Sequence, residues 1–178
     1  MRYAALLRGI NVGGNKTVSM AELRDLAAAL GLDDPRTLLQ SGNLVFGSRT
    51  APQKLESMLE AETKKRFGLD TRYFLRTAAE WQSAIDANPF RDEALRDPSR
   101  LVVVFLREAA APKSVKALQA AIVGRETVRA VGRQAYLVYP DGLGTSKVTL
   151  PMIEKALGAK GTGRNWNTVM KINALLVG

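Results

Sequence analysis

An α+β fold with two similar halves of mainly antiparallel sheet is what this 178-residue sequence predicts, on three observations. Short apolar runs of strand length alternate with amphipathic stretches of helix length. The order strand, helix, strand, strand, helix, strand occurs once before a polar stretch and again after it. Tight-turn residues sit between the paired strands of each half, as hairpins require. Such an order is that of a ferredoxin-like, split β-α-β unit, so two ferredoxin-like halves are expected.

The elements follow in order. "RYAALL" (2 to 7) is a buried strand. A glycine-rich segment, "RGINVGGNKT", precedes "SMAELRDLAAALG", in which Ser19 and Glu22 make a capping box. Met20, Leu23, Leu26, Ala27 and Leu30 keep helical spacing up to Gly31. "RTLLQ" (36 to 40) and "NLVFG" (43 to 47) flank Ser41-Gly42 as a hairpin. "APQKLESMLEAETKKRFG" is a second amphipathic helix between Pro52 and Gly68. "TRYFLR" (71 to 76) is the fourth strand. Thr77 and Glu80 form a further capping box, opening a helix to about Asp86. "NPFRDEALRDPS" reads as a polar loop with two prolines, and it separates the halves.

The second half opens on the strand in "RLVVVFLR". "APKSVKALQAAI" is a helix with Pro112 near its start. "ETVRAV" and "QAYLVY" form a hairpin around Gly132-Arg133. "PMIEKALG" is a helix ended by Gly158. An extended "GTGRN" leads into a last helix reaching Leu176. The expected organisation is therefore 1–76 as the first subdomain, 77–99 as helix and linker, and 100–178 as the second subdomain with its C-terminal helix.

Composition excludes several chemistries. Hydrophobic residues make up 46% and charged residues 24%, an ordinary globular balance. Cysteine and histidine are both absent, so disulfides, thiolate nucleophiles, Cys/His zinc sites and imidazole bases are ruled out. No apolar run approaches the roughly 18 residues of a membrane span. "MRYAALLRGI" does not read as a secretory leader, so a cytoplasmic protein is expected, with no membrane partner.

Lys and Arg total 26 against 17 Asp and Glu, a net charge of +9. Residues 109–178 hold 10 of the basic and only 3 of the acidic side chains. That excess points to anionic partners, nucleic acid or nucleotides among them, or to a solvated basic surface.

Four polar, glycine-bearing segments at element ends are the candidate sites. In "RGINVGGNK" the Gly9–Gly14 spacing is that of a P-loop, but Asn15 intervenes before Lys16-Thr17, and a split β-α-β sheet is the wrong scaffold. A nucleotide-hydrolysing P-loop is rejected. A looser anion nest around Gly13, Gly14 and the Ser19 helix remains, with Arg8, Asn11, Asn15 and Lys16 as its side chains. "QSGN" reads first as a turn, with Ser41 and Asn43 as candidates for binding.

In "DGLGTSK", Ser146 and Lys147 either meet a phosphate or carboxylate, or Ser146 caps the next helix. In "GRNWNT", Arg164 offers a fork for an anion and Trp166 a stacking face. Asn165 or Asn167 either binds or caps. Lys64-Lys65-Arg66 reads as a solvated helix face. Only Asp141 among these segments is a carboxylate, so no metal, no cofactor and no paired-carboxylate mechanism is expected.

"LLRGINVGGNKTVSMAELRDL", "QSGNLVF", "SK" before the late helix and "RNWNTVMK" resemble the bacterial family known as domain of unknown function 1697. The likeness runs the length of the chain with the motifs in family order. Where the family often has Arg-Ser-Lys-Leu, this chain has Thr145-Ser146-Lys147-Val148. Gly163 stands where the family often has Thr or Ala before Arg-Asn-Trp-Asn-Thr. The resemblance implies two ferredoxin-like halves and no established activity.

Three readings follow. One is a module binding an anionic ligand, nucleic acid or nucleotide, at a basic Asn/Gly-rich site between the halves. Another is a transferase-like enzyme on a phosphorylated or carboxylate substrate, with Lys16 or Lys147 as clamp, Arg164 as fork, and Asn43 or Asn165 as oxyanion donor. The third is a partner-binding protein whose motifs are structural.

Overall fold

The computed structural model describes residues 1–9 and 17–178. Its first strand, β1 (Arg2–Leu7), is followed by helix α1 (Met20–Ala29), the hairpin β2 (Asp33–Leu38) and β3 (Asn43–Gly47), helix α2 (Pro52–Phe67), and β4 (Tyr73–Thr77). Helix α3 (Ala78–Asp86) and helix α4 (Arg91–Arg96) come next, with a single 3-10 turn at Pro98–Arg100. The pattern then repeats as β5 (Leu101–Leu106), α5 (Pro112–Ala121), β6 (Thr127–Val131), β7 (Gln134–Val138), α6 (Leu150–Leu157) and β8 (Gly161–Asn165). The last element is α7 (Trp166–Val177).

The strands of the described residues form two four-stranded antiparallel sheets, ordered β2-β3-β1-β4 and β6-β7-β5-β8. In each sheet the first two strands of a half flank the third, so the first β-α-β unit of each half is split by the strand that follows it. The fold is therefore α+β with interleaved helices. Two compact units result, Met1–Gln82 with Lys171–Gly178, and Ser83–Met170.

Local chemistry sets the helix ends. Ser19 Oγ accepts from the Glu22 N–H at 3.1 Å, and Glu22 Oε2 accepts from the Ser19 N–H at 3.0 Å. Thr77 and Glu80 make the same reciprocal pair at the start of α3. Gly68 (φ 62°) and Gly158 (φ 65°) end α2 and α6 in the left-handed conformation, where a Cβ would be strained.

The polar stretch 88–99 is not the loop that its two prolines suggest. It holds α4 and the 3-10 turn, anchored by the buried Phe90, whose ring lies under the Arg129 guanidinium at 5.8 Å. Hydrogen-bonded strands also begin earlier at β2 and later at β4 than the apolar runs indicate.

Each unit has its own helix-covered core. In the first, Leu7, Phe46 and Leu75 of the sheet pack with Leu23, Leu26 and Leu59 of the helices. There the Tyr73 hydroxyl lies 2.7 Å from Thr63 Oγ1, and burial pushes the phenol up to about 12. In the second, Val102, Val104 and Leu106 meet Leu118, Ile153 and Leu157. The opposite strand faces are buried as well: Ala4, Leu6 and Arg76 in one unit, Val103, Phe105 and Arg164 in the other. That two-sided burial accounts for the near-continuous apolar runs of β1 and β5.

Candidate functional site

In the first unit the motif residues are held by their own backbone surroundings. The Arg8 N–H donates to the Arg72 carbonyl at 3.1 Å, and its carbonyl accepts from Thr71 Oγ1 at 2.8 Å. Asn43, 1% exposed, donates from Nδ2 to the Leu38 carbonyl (2.8 Å) and to Ser41 Oγ (2.9 Å). Ser41 and Asn43 thus stitch the β2–β3 hairpin, with Gly42 at φ 81° supplying the turn. Asn11, Asn15 and Lys16, with the glycines of the expected anion nest, lie outside the described residues.

In the second unit strand alternation divides the run "GRNWN". β8 pairs with β5 so that Gly163 lies opposite Val104, Arg164 opposite Val103, and Asn165 opposite Val102. Gly163 and Asn165 therefore share one face and Arg164 takes the other.

Arg164 is 7% exposed, and its Nη1 donates to Thr162 Oγ1 and to the Gly163 carbonyl, both at 2.8 Å. Burial lowers its pKa to about 10. Arg76 holds the same register position on β4, opposite Ala4, and its Nη1 likewise donates to the carbonyl just before it. After each arginine comes a helix cap. Asn165 Oδ1 accepts from the Thr168 N–H at 3.0 Å, as Thr77 Oγ1 does from Glu80 in α3. Trp166 is buried and lines a separate hollow of about 330 Å³ with Arg91 and Met170. Asn167 is exposed.

A cavity of about 430 Å³ forms over this β5–β8 face. Its apolar wall is Val102, Val104, Leu143, Val148, Leu150 and Ile153. Its polar positions are Ser99, Tyr139, Ser146, Thr149 and Asn165, and Gly163 contributes bare backbone. Among the described residues no charged side chain lines it.

Most of the polar atoms there are already engaged. The Tyr139 hydroxyl donates to the Val148 carbonyl at 3.1 Å, and burial raises its pKa to about 12. Ser146 Oγ donates to Glu126 Oε1 at 2.7 Å and accepts from the Val148 N–H at 3.0 Å. Ser99 Oγ donates to Asp97. Thr149 Oγ1 accepts from the Met152 N–H, so Thr149, and not Ser146, caps α6. With Oδ1 of Asn165 committed to α7, its Nδ2 and the Thr149 O–H remain as donors toward a ligand.

Lys147 is exposed beside Ser146. It lines a neighbouring hollow of about 410 Å³ with Glu126 and Asp141. Asp141 is ion-paired with Arg125, which holds its carboxyl below the usual range.

The structure thus brings Ser146, Gly163 and Asn165 to one cavity, places Lys147 next to it, and sends Arg164 and Trp166 elsewhere. Ser99, Thr149 and the apolar wall had no signal as a site. Only Thr149, a hydroxyl just before Leu-Pro at a helix start, carries a readable local role, and that role is capping.

The family described as "Protein of unknown function (DUF1697)" matches residues 1–136, so the chain belongs to that family. The matched stretch ends before Ser146, Lys147 and the β8–α7 residues. Among solved structures the chain is similar to one titled as that of conserved bacterial protein SP0830 from Streptococcus pneumoniae. That likeness has 26% identity, a TM-score of 0.77 and 98% coverage of both chains. No curated protein matches. Among the described residues no helix is long and apolar enough to cross a membrane.

Proposed function

We propose that the second unit binds a small anionic molecule whose uncharged part enters the 430 Å³ cavity and whose charge faces Lys147. The observation that supports this reading is convergence. Ser146 of "DGLGTSK" and Gly163 and Asn165 of "GRNWNT", distant in sequence, meet at one concave surface. Its volume is in the range of small-molecule sites, about 300–1,000 Å³, and an apolar wall with a few fixed donors is the usual make-up of such sites.

The open donors, Asn165 Nδ2 and the Thr149 hydroxyl, favour a ligand that presents oxygen acceptors. A nucleotide-sized molecule suits the geometry better than a nucleic acid strand, because Trp166 lines a different hollow and offers this cavity no stacking face. The split β-α-β order of both units supports reading each as ferredoxin-like, a scaffold that leaves the function to its loops.

The test is ligand-induced melting with nucleoside monophosphates and small carboxylates, on wild type and on Leu143→Trp. Leu143 lines the cavity and is 47% exposed, so an indole there fills the mouth from the solvent side. A midpoint shift in wild type that is lost in the variant supports the reading. No shift with any compound, or shifts that survive the substitution, refutes it.

A second reading rests on its own observation: Arg164, Asn165, Asn43 and Ser41 all make bonds that hold strand ends, a helix start or a hairpin. On that reading the motifs fix the fold for a partner-binding protein. Arg164→Ala then lowers the melting midpoint by several degrees with no effect on any small-molecule binding.

A further inference from the structure

Two glycines lie on the same face of β8, and packing explains only one of them. A Cβ at Gly161 would stand 2.8 Å from Val104 Cγ1 and 3.0 Å from the Phe105 carbonyl oxygen, so that position has no room for a side chain. A Cβ at Gly163 would meet Val102 Cγ1 at 3.2 Å and otherwise only Val104 Cγ2 at 3.8 Å. To admit a methyl group there, Val102 must give by a few tenths of an ångström, a far smaller demand than at Gly161. Neither residue has a positive φ. Gly163 is therefore required neither by backbone conformation nor by a hard clash, and its missing side chain opens onto the cavity. Glycine in a strand interior, where packing and chain entropy disfavour it, marks a place where something approaches the backbone closely.

Resting on the ligand reading above, we infer that Gly163 sets the specificity of this cavity. Its bare backbone is the seat of a planar, uncharged ring, with Val102 and Val104 beside it. The ring's carbonyl oxygens accept from Asn165 Nδ2 and the Thr149 hydroxyl. Among the described residues no charged group lines the cavity, which keeps an anionic substituent out of it, since burying an unpaired charge is costly. The class of ligand is a nucleoside monophosphate whose base bears carbonyls. An amino-bearing ring such as adenine puts a donor against the donors of Asn165 and Thr149 and is disfavoured.

The experiment is calorimetric titration of uridine 5′-monophosphate, uridine and adenosine 5′-monophosphate. The proteins are wild type, Gly163→Ala, the relieved double variant Val102→Ala/Gly163→Ala, and Lys147→Ala. The inference expects uridine 5′-monophosphate to bind wild type more tightly than adenosine 5′-monophosphate. It expects both alanine variants at 163 to weaken that binding about tenfold or more, as a methyl group inserted into a fitted contact does; the double variant, which truncates the buried Val102, also melts several degrees lower, and Gly163→Ala falls less. Lys147→Ala weakens the nucleotide and leaves uridine unchanged. If wild type binds and both alanine variants at 163 bind equally well, this inference is overturned while the cavity reading stands. If adenosine 5′-monophosphate binds as well as the uridine compound, the carbonyl preference is wrong. If wild type binds neither nucleotide, and the wider panel above also shows no shift, both readings fall together.

Discussion

Removing the Asn165 side-chain oxygen isolates the structural share of the "RNWNT" motif. The Oδ1 atom accepts from the Thr168 N–H at 3.0 Å, at the first turn of the 12-residue α7. Asn165→Ala leaves that N–H without its acceptor. Thr168 is 8% exposed, so water replaces the bond poorly. Loss of an N-cap costs about 0.5–2 kcal/mol, and poor access for water puts this one toward the upper half. For a chain of this size about 1 kcal/mol moves the midpoint by roughly 2–4 °C, so a fall of about 3–6 °C is expected for Asn165→Ala. Asn165→Asp keeps an acceptor oxygen and adds a negative charge at the positive end of the helix, and it should melt within about 1 °C of wild type or slightly above. Asn167→Ala is the control, because Asn167 is exposed. The assay is circular dichroism melting at neutral pH. An Asn165→Ala midpoint within error of wild type, or an Asp variant as unstable as Ala, would refute the capping role.

Gly161→Ala places its methyl against Val104 and the Phe105 carbonyl and should cost about 1–3 kcal/mol, measurable by urea denaturation, whereas Gly163→Ala, which asks Val102 to shift by only a few tenths of an ångström, should cost less. Tyr73→Phe removes the 2.7 Å partner of the buried Thr63 hydroxyl and should destabilise by about 1–2 kcal/mol; adding Thr63→Val should recover part of that loss in a double-mutant cycle. Burial raises Tyr73, Tyr136 and Tyr139 to about 12 from the ordinary 10. A raised folded-state value means the stabilisation is fully present below about pH 10 and is lost as pH climbs toward 12, so melting midpoints should hold steady through pH 9 and then fall steeply. Arg164→Lys should not substitute for arginine, since an ammonium replaces only the Nη1 donor, gives up the rest of the planar guanidinium and is more strongly hydrated, which makes it costlier to bury there; it should melt several degrees lower.

The helix ends were legible because their causes are local. The boxes Ser19/Glu22 and Thr77/Glu80, the prolines at the starts of α2 and α5, and the glycines after α2 and α6 all act within about one turn of the element they bound. Helix α4 was not legible. It is six residues long, with exposed polar residues on most sides, and its anchor Phe90 precedes it, so no apolar period marks it. Ser146 was readable as polar and near a helix, but its partner Glu126 is 20 residues away, and only the fold makes them neighbours.

Element order, the two-fold recurrence, and the exclusion of thiol and imidazole chemistry belong to the sequence alone, because composition and short-range pattern determine them. The division of "GRNWN" belongs to the tertiary structure. Read as a string, Arg164, Asn165 and Trp166 look like one binding motif. Pairing of β8 with β5 turns Arg164 to one face and Gly163 and Asn165 to the other, and the strand's passage into α7 carries Trp166 into a different hollow. A period of two in a strand followed by a helical turn separates neighbours in sequence by whole faces of the sheet. The same register brings Gly163 and Asn165 to Ser146 and Thr149, and that meeting, which no local rule encodes, makes the cavity.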